Sequence, residues 1–88
     1  MGVTIEISST LLQFTDGKTA VNVNGDTVKE CLTELAAMHP KMSDYLYDMT
    51  GTLKIMVILN GKALSQKNLD AAVSPDDNLT LLLPMPGG

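Results

Sequence analysis

Gly87 and Gly88 close the sequence, so its terminal carboxylate has no Cβ beside it. Such an end takes backbone angles closed to other residues and threads a channel too narrow for a side chain. At ordinary glycine usage of about 7%, two glycines fall together at a terminus in roughly 0.5% of chains, which makes a frayed end the weaker explanation. A carboxylate is a poor electrophile, so acyl transfer from Gly88 first needs an activated form such as an acyl-adenylate. The sequence ends at Gly88, and no trimming is expected to be needed to expose it.

The other reactive side chains read as structural. Cys31 is a conceivable nucleophile or persulfide carrier, but it falls on an apolar helical stripe, where free cysteines pack as small hydrophobes. Reactivity would need exposure and a depressed pKa. His39 stands at a helix end, where the helix dipole favours it. One histidine and one cysteine fall short of the usual four zinc ligands. Asp76 and Asp77 are adjacent within a turn cluster, which predicts a solvated loop and no acid/base pair. Neither phosphate-loop pattern is present, so ATP is expected to bind a partner and not this chain.

The elements that must carry these residues follow from periodicity. Val3, Ile5 and Ile7 alternate with Thr4, Glu6 and Ser8, which predicts a half-buried strand over Val3–Thr10. Lys18–Asn24 repeats the pattern with Val21 and Val23 inward, after an Asp16-Gly17 turn, so the two form a hairpin with Leu11, Leu12 and Phe14 in or near its loop. Thr27-x-x-Glu30 has the form of a capping box. Val28, Cys31, Leu32, Leu35 and Met38 then make one apolar stripe of a helix that Pro40 stops. Residues 41–52 predict a short turn of helix or a loop. Leu53–Leu59 is the strongest strand, apolar on both faces, which argues for a middle position. Asn60-Gly61 predicts a tight hairpin. After an irregular stretch and the turn Ser74–Asn78, Leu79, Leu81 and Leu83 make one face of a last strand. Pro84-Met85-Pro86-Gly87-Gly88 cannot continue a central strand and reads as an extended, mobile tail.

This order, with one main helix on one face of a mixed sheet of four to five strands, predicts a two-layer α+β domain of the β-grasp (ubiquitin-like) kind over residues 1–83, with the tail at 84–88. First and last strands are expected side by side and parallel. The 88 residues leave no room for a second core. Ten acidic residues face six lysines and no arginine, giving a net charge of −4. Nucleic acid is therefore not an expected partner; an acidic balance can steer a carrier toward a basic partner surface, but it is common on inert surfaces too. A single cysteine and the absence of a basic leader point to a cytoplasmic protein. The longest apolar run, Ile55–Leu59, is far short of the roughly 18 residues a membrane span needs.

Four stretches carry a family resemblance. They are His39-Pro40-Lys41-Met42 through Tyr45-Leu46-Tyr47-Asp48 and Gly51 to Leu53, the strand end Leu59-Asn60-Gly61, the turn Ser74-Pro75-Asp76-Asp77, and the terminal Leu82-Leu83-Pro84-Met85-Pro86-Gly87-Gly88. Over nearly the whole chain the sequence resembles the ubiquitin-like sulfur carriers of the MoaD/ThiS family, most of all the small subunit of molybdopterin synthase. Leu82 stands where that branch often has an aromatic, and Pro86 directly precedes the glycines.

The resemblance implies that this chain is no enzyme but a protein-borne sulfur donor. An E1-like adenylating enzyme would use ATP to activate Gly88. A sulfide or persulfide donor, such as a cysteine desulfurase or a rhodanese-type protein, would then leave a C-terminal thiocarboxylate. The molybdopterin synthase large subunit would receive it. A ubiquitin-like modifier joined through Gly88 to lysines, or a carrier for thiamine or cysteine synthesis, are the alternatives.

The five-residue tail reaches at most roughly 17 Å, enough to put its end inside a partner while the domain stays outside. Pro84 and Pro86 stiffen it and, with Met85 and Gly87, would line the partner's channel. If Ile55, Val57 and Leu59 face the helix, Met56, Ile58 and Leu82 share the opposite face of the sheet and are the expected docking residues.

Overall fold

The computed structural model describes residues 2–82. Alternation does set the first strand: β1 (Val3–Ile7) buries Val3, Ile5 and Ile7. It ends earlier than its pattern, because Ser9–Phe14 turns into a 3-10 helix that buries Leu11. Asp16 and Gly17 both take positive φ, 56° and 82°, and reverse the chain into β2 (Ala20–Val23), where Val21 and Val23 are buried.

Helix α1 (Val28–Met38) starts on Thr27, whose side chain accepts a hydrogen bond from the Glu30 amide at 3.2 Å. Glu30 reaches back one residue further than a capping box requires, accepting from the Asp26 amide at 2.9 Å. Val28, Cys31, Leu32 and Leu35 are buried, but Met38 is not: it is 48% exposed. The inward position beyond Leu35 goes to His39, four residues on and buried, which also caps the helix through its amide to the Leu35 carbonyl. At 3.6 residues per turn the positions three and four beyond Leu35 straddle the same face, and here the later one takes it.

Pro40 ends α1 as expected, and it also opens a second helix, α2 (Pro40–Leu46), at a first-turn position where its missing N–H costs nothing. Met42 and Leu46, four apart on α2, are fully buried. Each such side chain contributes roughly 1.5–3 kcal/mol, more than a cap does, so burial decides that this segment is helix.

The paired part of the third strand is shorter than its apolar run. β3 is Met56–Leu59, whereas Leu53 bridges Tyr47 and the Lys54 amide bonds the Leu46 carbonyl, tying that stretch to the end of α2. Asn60 and Gly61, at φ 50° and 85°, form the tight turn into β4 (Lys62–Leu64). A capped 3-10 turn, Gln66–Asn68, precedes β5 (Asn78–Leu82). The sheet order is β2-β1-β5-β3-β4, with β1 and β5 parallel and the other neighbours antiparallel. The first and last strands therefore pair as the sequence predicts, and β3 lies inside the sheet.

Candidate functional site

The register of β3 against β5 sets Met56 opposite Leu82 and Ile58 opposite Thr80, and the register of β3 against β4 adds Ala63 beside Ile58. Val57 and Leu81, opposite each other, are fully buried beneath the helices, and Ile55 is buried too, whereas Leu59 is only partly covered. Met56, Ile58 and Leu82 thus share the outer face, as alternation requires. Met56 is 43% exposed and the other two are half-buried.

Farther across the same face the surface turns polar. Thr80 follows, then Glu6, whose carboxylate accepts a hydrogen bond from the Asn78 side chain at 2.7 Å. The apolar group is therefore a corner of the sheet, located where the central strand β5 passes into residues 83–88. Leu83, Pro84, Met85, Pro86, Gly87 and Gly88 lie outside the described residues.

The remaining sequence candidates fall elsewhere. Cys31 is fully buried, and burial, reinforced by the charges of Glu30 and Asp26, raises its thiol pKa, the reverse of what a nucleophile needs. His39 is a buried helix cap. Asp77 is a turn clamp: its carboxylate accepts from the Asn60 side chain and the Ser74 amide, each at 2.9 Å, and these bonds, the first above all, lower its pKa. Asn60 in turn accepts from the Asn78 amide at 2.9 Å, so the β3–β4 turn is locked to the start of β5. Asp76 is exposed. No group of three or more His, Cys, Asp or Glu able to hold a metal occurs among the described residues, nor does any helix there have the length and apolarity to cross a membrane.

Sequence reasoning missed the aromatic contact that pins the first loop to α2. Phe14 stacks on Tyr45 with ring centroids 4.0 Å apart, and the Lys54 ammonium lies 5.4 Å from the Tyr45 ring. Only the tertiary fold brings residues 14, 45 and 54 together.

A five-stranded mixed sheet with a parallel pair at its centre and helices on one face is a ubiquitin-like β-grasp domain. The model of the ThiS family matches residues 5–88, and the chain belongs to that family. No curated protein matches the sequence. Among solved structures, a chain of the Amycolatopsis orientalis BexX/CysO complex is 29% identical, with 98% of this chain and 99% of that one covered and a TM-score of 0.84. SAMP1 from Haloferax volcanii is 28% identical, with both chains covered in full and a TM-score of 0.80. A chain of the complex of subunits 1 and 2 of molybdopterin-converting factor from Helicobacter pylori is 19% identical, with both chains fully covered and a TM-score of 0.67, a likeness of fold. ThiS/MoaD-like carriers of this size are in general not enzymes themselves.

Proposed function

We propose that this protein is a sulfur carrier that is adenylated and then thiocarboxylated at Gly88. The observation that carries the reading is the position of β5: the central strand ends at an apolar corner, Met56, Ile58 and Leu82, and hands the chain directly to the residues leading to Gly87-Gly88. A partner that docks on the corner receives the terminus without disturbing the core. Pro84, Met85 and Pro86 then line its channel.

The chemistry takes place on the partner. Its ATP converts the Gly88 carboxylate to an acyl-adenylate, releasing pyrophosphate. A sulfide sulfur attacks the acyl carbon and AMP leaves, so Gly88 ends as a thiocarboxylate that delivers nucleophilic sulfur. Where a cysteine desulfurase or rhodanese-type protein supplies the sulfur, its persulfide attacks the acyl carbon as AMP leaves. A thiol then cleaves the resulting acyl disulfide, releasing the thiocarboxylate and ending as a disulfide with the donor cysteine. The acceptor we put first is the pterin precursor of molybdopterin, with this chain as the small subunit of the synthase.

The test is intact mass spectrometry after incubation with ATP, sulfide and an E1-like enzyme of this family. One oxygen should be exchanged for one sulfur, in the C-terminal peptide alone, and the variant lacking Gly87 and Gly88 should show no exchange. Failure with every such enzyme overturns the reading. Adding the synthase large subunit and the pterin precursor should discharge the sulfur; retention of the thiocarboxylate would exclude that acceptor.

A second reading, a modifier joined through Gly88 to lysines, is favoured by the 28% identity to SAMP1 over the full length of both chains. Gly-Gly remnants on lysines of other cell proteins would establish it, and their absence beside a thiocarboxylate leaves the carrier alone.

A further inference from the structure

The strand β2 is one of the two edge strands of the sheet and pairs only with β1 among the described residues. The Ile7 amide bonds the Thr19 carbonyl at 2.8 Å, which makes residues 7 and 19 a hydrogen-bonded pair. By the alternation of an antiparallel ladder, Ile5 with Val21 and Val3 with Val23 are also such pairs. The backbone groups of Ala20 and Asn22 therefore point away from the sheet. Their side chains are exposed, and no described strand pairs with this side of β2.

An open cavity of about 390 Å³ adjoins that edge, lined by Asn24 just past β2 and by Lys29, Glu30, Thr33 and Glu34 along α1. Glu30 is already engaged with the Asp26 amide. Glu34 is half-buried, yet its carboxylate has no hydrogen-bond or ion-pair partner among the described residues; the exposed Lys29 side chain has none either, so two carboxylates against one ammonium leave the lining net negative. A free sheet edge bordered by an unmatched carboxylate suits one kind of occupant.

We propose that β2 and the cavity beside α1 receive an extended basic segment of a partner protein, added to the sheet as a further strand. Its main chain pairs with Ala20 and Asn22, and an arginine or lysine on the side toward α1 meets Glu34. A second copy of this chain fits less well, since each carries a net charge of −4. This surface is separate from the corner at Met56, Ile58 and Leu82.

The test uses a short end-blocked peptide alternating valine with arginine, titrated into the isotope-labelled full chain and followed through backbone amide shifts. Shifts confined to residues 20–24 and 29–34 are expected. A peptide N-methylated at alternate residues should not bind, nor should one with glutamate in place of arginine. Asn22→Pro removes an outward amide that the native ladder does not use, and should abolish binding while the thermal midpoint holds. Glu34→Gln should weaken it about two- to fivefold, the size of an exposed ion pair. No binding, equal binding of the glutamate peptide, shifts centred on Met56 and Ile58, or self-association through β2 would each overturn the proposal.

Discussion

Gly25 is fixed by its neighbours. A Cβ there would sit 2.9 Å from both the amide nitrogen and the Sγ of Cys31, one of them backbone that cannot move aside. Gly25→Ala is expected to destabilise by about 1–3 kcal/mol, the usual cost of overpacking, and urea denaturation will measure it. Asp48 and Asp77 set the acid limit. The carboxylate of Asp48 accepts from the Thr50 hydroxyl at 2.6 Å and the Thr52 amide at 3.0 Å, and these bonds lower its pKa, as Asn60 and Ser74 lower that of Asp77. Because both pKa values are depressed on folding, their stabilisation is complete above the ordinary aspartate range. It is lost as pH falls through the lowered values. Urea midpoints should drop over that acid window, and Asp77→Asn should flatten the drop; an unchanged slope would refute the clamp. Cys31 was legible as core from its spacing. His39 was not, because periodicity alone cannot choose between it and Met38 for the last inward position.

Among the elements, α1 is the best specified. Thr27→Ala removes the one side-chain cap at its start and should cost about 1 kcal/mol, read as a lower thermal midpoint without a change in sheet content. The first hairpin and the Asn60-Gly61 turn were also readable, since alternation and left-handed turn residues are local signals. The helix α2 was only half readable: at seven residues it is too short to show a full apolar period, and its Met42 and Leu46 are held by burial under the fold. The third strand was overdrawn at its start for a related reason. An apolar run reports burial, and residues 53–55 are drawn toward α2 instead of a ladder.

For the molecule as a whole, the parallel pairing of β1 with β5 was foreseen from element order, as was the shared outer face of Met56, Ile58 and Leu82. The cavity beside β2 was invisible, because no local pattern says which strand a sheet leaves at its edge. That central pairing has a direct test. A chain ending before Asn78 retains β1 with β2 and β3 with β4 but no strand to pair one ribbon with the other, and isolated two-stranded ribbons are marginal in water. Such a truncation should show no cooperative unfolding by circular dichroism. The same arrangement governs birth on the ribosome. Of the described strands the keystone is synthesised last, so the nascent sheet stays unlocked until β5 emerges. On the carrier reading proposed above, a message cut short before β5 yields no folded impostor to compete for an activating partner.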